Sequence, residues 1–121
     1  MLYTDSLVIG CSNPGAMRDW WVRSFDARAK AIPPDWDDTL PSDIALQLPD
    51  QDKPTVLLTE RQSGLDPQGN RPLLFCRKLT KTRDWLVRRG VEIGLVEESG
   101  GTRFFTVLDP EGNAIEICEE P

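Results

Sequence analysis

Apolar residues along this chain follow two spacings, and the pair of spacings runs through twice. Residues 7–11 (LVIGC) form an unbroken apolar run short enough for a buried strand. Asn13 and Pro14 then signal a helix start, Asn as N-cap and Pro at the first helical position, where its missing N–H costs nothing. Met17, Trp20, Trp21 and Phe25 recur on one helical face. Three strand-like runs follow at residues 27–32 (ARAKAI), 44–48 (IALQL) and 55–60 (TVLLTE).

The order then begins again. Residues 72–76 (PLLFC) read as a strand and Thr80 as an N-cap, and Trp85, Leu86 and Arg89 continue one helical face until Gly90 ends it. Residues 91–97 (VEIGLVE), 102–108 (TRFFTVL) and 114–118 (AIEIC) supply three more strands. Each half predicts β-α-β-β-β.

The halves also match in their letters. RDWWVR at residues 18–23 returns as RDWLVR at 83–88, an offset of 65 that superposes Cys11 on Cys76. Six of the seventeen positions from 7 to 23 are then identical, where chance gives about one. In each hexamer the aspartate and second arginine, Asp19 with Arg23 and Asp84 with Arg88, stand at i,i+4 on the exposed side. At an offset of 60, IALQLPDQDKPTVLLTE lies over FFTVLDPEGNAIEICEE, with Pro-Asp-Gln-Asp and Asp-Pro-Glu-Gly-Asn as the two turns. The change of offset is assigned to a longer connection in the first half, PPDWDDTLPS at about residues 33–42, which is Pro-rich and acidic and reads as a surface loop.

A chain of 121 residues can bury one core and not two, so the two units must share it. The reading is one α+β domain over residues 1–121, with module one at about 1–62 and module two at about 70–121. Hydrophobic residues at 39% and charged residues at 28% are ordinary for a globular chain and exclude disorder. Fourteen basic residues, scattered among twenty acidic ones, leave a net charge of −6, which argues against nucleic acid or an anionic membrane surface as partner. No apolar stretch is long enough to span a membrane, and the N-terminal residues lack a signal-peptide pattern. Three cysteines without a CxxC spacing fit a reducing compartment, so the expected location is the cytoplasm.

Candidate chemistry is sparse. The chain has no histidine, so Cys11 and Cys76 lack an evident base, and their places in apolar strands mark them as buried packing residues. Trp20 and Trp85 are expected to anchor the two helices to the core. Trp36 is the one large aromatic outside a predicted element; it either tucks against the sheet or rims a ligand site. Gly100-Gly101 reads as a hairpin turn and not a phosphate loop, since no helix follows it. Glu119 and Glu120 are expected to be solvated.

Two β-α-β-β-β modules ending in FFTVLDPEGNAIEICEEP resemble the vicinal oxygen chelate superfamily, the group of glyoxalase I, bleomycin-resistance proteins and extradiol dioxygenases. The terminal part is the most specific: an aromatic strand, Asp109-Pro110-Glu111-Gly112-Asn113, then Ile115-Glu116-Ile117. Ser12-Asn13 leads into a helix where Trp20-Trp21 stands at the family's usual Phe-Tyr. A second Asp-Pro-x-Gly-Asn string at residues 66–70 is read as a turn. The resemblance implies two curved half-barrels in a mixed sheet enclosing a cup for substrate, with a homodimer as the default assembly. In the family's enzymes a divalent metal sits in the cup on His, Gln or Glu from the first and last strand of each module.

The resemblance implies two of those positions at Ser6 and Glu116, and the repeat offsets of 65 and 60 carry them to Arg71 and Val56; of the four only Glu116 is a normal metal ligand. A register error of one or two residues brings Glu60, Gln62 or Pro72 into play, and two carboxylates bind Mg²⁺ or Mn²⁺ at best weakly. No cofactor is therefore expected, with a divalent metal as the minor alternative. Arg71 is expected either to pair with Glu116 across the cup, where it would offer a cation to an anionic ligand, or to point to solvent. By strand alternation Cys118 shares the face of Glu116 and lines the cup. The first expectation is a small-molecule-binding protein of the bleomycin-resistance type without a metal, its candidate ligand-binding residues Arg71, Glu116, Ser6, Glu60, Trp36 and Cys118. The alternatives are a metal-dependent lyase, isomerase or dioxygenase built on Glu116 with Glu60, and a protein-interaction module that has lost the cup.

Overall fold

The computed structural model describes residues 2–60 and 72–121. Arg71, Gln62 and the string at 66–70 lie outside the described residues. The first apolar run becomes β2 (Leu7–Cys11), preceded by a two-residue strand β1 (Leu2–Tyr3) that the periodicity does not announce. Helix α1 (Pro14–Phe25) starts as expected, with the Ala16 N–H donating to Asn13 Oδ1 at 3.0 Å and Pro14 in the first turn, and it closes on Asp26 in a left-handed conformation. Strands β3 (Arg28–Lys30), β4 (Ile44–Gln47) and β5 (Val56–Glu60) complete the first unit. The second contains β6 (Leu73–Cys76), α2 (Leu79–Arg88), β7 (Glu97–Ser99), β8 (Thr102–Leu108) and β9 (Ala114–Glu119).

Each unit makes one sheet, in the orders β2-β5-β4-β3 and β1-β6-β9-β8-β7. In each, the first and last strands of the module are neighbours and parallel, and the remaining pairs are antiparallel. The first residues of the chain cross over to extend the second sheet, with Tyr3 opposite Phe75. The helices lie on one face. Met17, Trp21 and Phe25 of α1 and Leu79 and Leu86 of α2 join the inward residues of both sheets in one continuous apolar cluster, as a single shared core requires.

Several expectations change. Trp21 and its repeat partner Leu86 are the fully buried anchors, whereas Trp20 and Trp85 are partly buried at the edge of the cluster. Helix α2 begins at Leu79 after Lys78, which makes no side-chain cap; the Leu79 N–H donates instead to Glu119 Oε2 at 2.8 Å. Glu119 is thus no solvated tail residue: it caps α2 from a distant strand and pairs with Arg103 at 3.0 Å. Residues 91–96 form no strand: Ile93 makes a single bridge to Val107, and continuous pairing begins only with Glu97 at the start of β7. Asp19 pairs with the neighbouring Arg18, and Arg88 reaches the Asp84 carbonyl oxygen. The Gly100-Gly101 hairpin is as expected, both glycines at positive φ between Ser99 and Thr102.

The ladders refine the repeat. Cys11 lies opposite Glu60 and Cys76 opposite Glu119. The last strands therefore superpose at an offset of 59, while Ile44 opposite Leu58 and Phe105 opposite Ile117 set the preceding strands at 61. The sequence offset of 60 averages two registers separated by a turn two residues longer in module one.

Candidate functional site

A one-residue shift in a strand moves a side chain to the other face. It does so here. Val56, expected at a metal-ligand position, faces the helices and is fully buried in the core. The residue equivalent to Glu116 is Leu57, because Leu57 lies opposite Val8 as Glu116 lies opposite Leu73.

On the helix-free face of the first sheet, Val8, Leu57 and Ala45 form one row across β2, β5 and β4. Ser6 and Thr55 make the next, fixed by the Leu7 N–H donating to the Thr55 carbonyl at 2.9 Å. Trp36 and Asp37 of the Pro-rich loop, with Ser6, Val8, Thr55 and Leu57 of the sheet, line a half-open cavity of about 200 Å³. Trp36 is half-buried, bordering the cavity together with residues of the sheet. Ser6 and Trp36, separated by thirty residues in the chain, are thus brought together. Glu60 is not: alternation sets it on the helix side with Val56 and Leu58, exposed at the strand end, where it accepts a hydrogen bond from Ser42 Oγ at 3.3 Å.

The helix-free face of the second sheet carries Glu116 and Cys118 on β9, beside Leu73 and Phe75 on β6 and Phe104 and Thr106 on β8. Tyr3 from β1 stacks on Phe75 with ring centroids 5.8 Å apart. Its hydroxyl donates to Glu120, which also faces Arg77 at 3.4 Å, and this bond raises the phenol's pKa. Tyr3, Asp52, Arg77 and Glu120 border a wider polar cavity of about 870 Å³. Cys118 is 8% exposed, and burial followed by the nearby Glu116 raises its thiol pKa, so it lines this face as a neutral group.

The Asp109–Asn113 turn, the most specific part of the resemblance, is built for shape. Asp109 Oδ1 accepts the N–H groups of Glu111 and Asn113, Oδ2 accepts the Asn113 side-chain amide, and Gly112 takes a positive φ. Glu111 then reaches the Ser12 N–H ahead of α1, tying the two modules together. Arg89 makes a second tie, donating to the carbonyl oxygens of Arg23 and Ser24 at the end of α1.

Metal chemistry of the family's kind needs several ligands at one point. The described residues at the expected positions are Ser6, Leu57 and Glu116: a hydroxyl, a hydrocarbon and one carboxylate. That set does not fit a family metal centre. Among the described residues no three of His, Cys, Asp and Glu are grouped as ligands would be.

No protein-family model matches the chain, and no curated protein matches it in sequence. Solved structures do match in shape. A member of the glyoxalase/bleomycin resistance protein/dioxygenase superfamily from Sphaerobacter thermophilus superposes with a TM-score of 0.69 at 21% identity, over 98% of this chain and 97% of that one. A glyoxalase-related enzyme from Clostridium phytofermentans gives 0.70 at 9% identity, over 98% and 96%. An antibiotic-binding protein from a Streptomyces species gives 0.68 at 17% identity, over 98% and 97%. The chain has the vicinal oxygen chelate fold, the α+β arrangement with curved mixed sheets that the resemblance implied.

Proposed function

We propose that this chain binds and sequesters a small organic molecule on the helix-free faces of its curved sheets, and that no metal takes part. The observation that carries the reading is the replacement of ligand positions by Ser6 and Leu57, which leaves Glu116 as the one carboxylate among the described residues at those positions. Such a lining suits an uncharged or aromatic ligand body and gives a divalent cation too few donors. The antibiotic-binding neighbour of the same fold supports a sequestering role. The test is metal analysis of the purified full chain. Substoichiometric metal is expected; one equivalent lost in Glu116→Ala would overturn the reading in favour of a metal-dependent enzyme.

The assembly belongs to the same proposal. Val8 at 53% exposure and Leu108 at 51% project from helix-free faces, and a second copy of the chain would cover such surface. The protein is accordingly a homodimer with its three buried thiols reduced in the cytoplasm.

A further inference from the structure

The duplicated halves differ at the starts of their helices. Ahead of α1, the Glu111 carboxylate reaches over from the turn of the other module and accepts the Ser12 N–H with both oxygens at 3.0 Å. The offset of 65 that superposes Cys11 on Cys76 puts Arg77 in the place of Ser12, Lys78 in that of Asn13 and Lys81 in that of Ala16. The strand offsets of 61 and 59 on either side of the turn put Asp50, Gln51 and Asp52 in the place of Glu111. Where the first pair meets in a hydrogen bond, the second borders the open cavity of about 870 Å³. A smaller cavity of about 290 Å³ shares Asp50 and Arg77 with it and lies against Lys78, Lys81 and Thr82. Asp50 is the one carboxylate among the described residues lining this smaller cavity, against three cations. Glu120 is engaged by Tyr3 and Arg77. Among the described residues neither Lys78 nor Lys81 has an ion-pair partner, and no acidic residue stands in the first turn of α2. One helix start is thus met by a carboxylate of the chain itself, and its repeat partner offers cations to an open cavity instead.

We propose that the smaller cavity is a second binding site, for the carboxylate or phosphate group of a small organic anion, held by Lys78 and Lys81 with Arg77 beside them. The anion takes the part that Glu111 plays at the other helix. Both lysines are exposed and keep their charge at neutral pH, and charge-assisted hydrogen bonds to an oxyanion are stronger than those a neutral ligand could accept. Three cations gathered in a chain of net charge −6 also concentrate anions at this one place. A volume of about 290 Å³ has room for a ring beside the charged group, since a cavity of roughly 150 Å³ takes up benzene. Arg77 follows the end of β6, about 13 Å of extended chain from the Leu73–Glu116 row. The site is therefore separate from the sequestering faces proposed above and does not depend on them.

The test titrates phenyl phosphate and benzoate into the full chain, with phenol as their uncharged counterpart, and follows backbone amide shifts. At least one anion is expected to shift the amides of residues 77–82 and 50–52, with an affinity that falls as salt is added; the tighter of the two shows whether the group is a phosphate or a carboxylate. Replacing both lysines, Lys78→Ala with Lys81→Ala, should weaken that anion by roughly tenfold, the value of two exposed ion pairs. Lys78→Arg with Lys81→Arg should keep the affinity within about twofold of wild type. The inference is overturned if neither anion shifts these amides, if phenol binds there as tightly, or if the double alanine variant binds as wild type does. Each of these results leaves the sequestering function standing; that function fails separately, on stoichiometric metal at Glu116.

Discussion

Leu57 occupies in the first sheet the place that Glu116 occupies in the second: each sits on the last strand of its module, opposite the equivalent residue of the first strand. The duplicated halves are therefore not duplicated in chemistry. One presents a hydrocarbon where the other presents a carboxylate, and the two faces differ accordingly, one bordered by Trp36 and the other lined by Tyr3, Phe75 and Phe104.

The hexamers RDWWVR and RDWLVR carry the core at their fourth letter, since Trp21 and Leu86 are fully buried while Trp20 and Trp85 lie at its edge. Trp21→Ala should cost about 3–5 kcal/mol in urea unfolding, and Trp20→Ala no more than about half of that by the same area argument. Equal losses would show that the two rings share the anchoring role.

Much of the architecture was legible because it depends on local signals. Asn13-Pro14, Gly100-Gly101 and the Asp109–Asn113 turn each specify backbone geometry by side-chain chemistry alone, and each behaves as read. What was not legible depends on partners distant in sequence. Leu2 and Tyr3 make a strand only because β6 offers an edge, and Glu119 caps α2 across forty positions of chain. The Val56 assignment failed for a simpler reason. A slide of one sequence over another yields one offset, whereas a longer turn gives its two flanking strands different ones. Ser6 and Trp36 were each named, but their meeting at one cavity depends on the path of a loop that neither residue signals.

Glu119 predicts a pH dependence. Its hydrogen bond to Arg103, and then that from the Leu79 N–H, hold its carboxyl below the usual carboxylate range. The ionised form is thus favoured in the fold, so its contribution to stability is full above the unfolded pKa of about 4.3 and is lost as pH falls through the folded value. The melting temperature of wild type should exceed that of Glu119→Gln near neutrality, and the gap should close as the pH is taken below the ordinary carboxylate range. A gap independent of pH would show that the charge is not what Leu79 and Arg103 recognise.

The thiols should be inert. Burial, followed by the carboxylates of Glu111 and Asp109, pushes Cys11 up to about 11, and burial raises Cys76 and Cys118 as well. At a mildly alkaline pH iodoacetamide should label the folded chain slowly and all three cysteines quickly once it is unfolded. Mass spectrometry reads the difference; rapid labelling of Cys11 in the folded chain would assign it a reactivity that its surroundings argue against.

Asp109 is 5% exposed and accepts three hydrogen bonds within its own turn. Asp109→Ala leaves those donors without a partner and should destabilise the protein by about 2 kcal/mol in denaturant unfolding. Because Glu111 tethers the turn to Ser12, amide exchange should quicken at the start of α1 as well as in the turn. Exchange confined to the turn would show that the two modules are not tied at this point.

The measurement that bears most directly on a metal-free binding face is calorimetric titration of the full chain with Zn²⁺, Mn²⁺ and Ni²⁺. The expected result is heat no different between wild type and Glu116→Ala, with no saturable one-to-one site. A saturable isotherm in wild type that vanishes in Glu116→Ala would contradict the account, because it would mean that the chain assembles a metal centre despite Ser6 and Leu57.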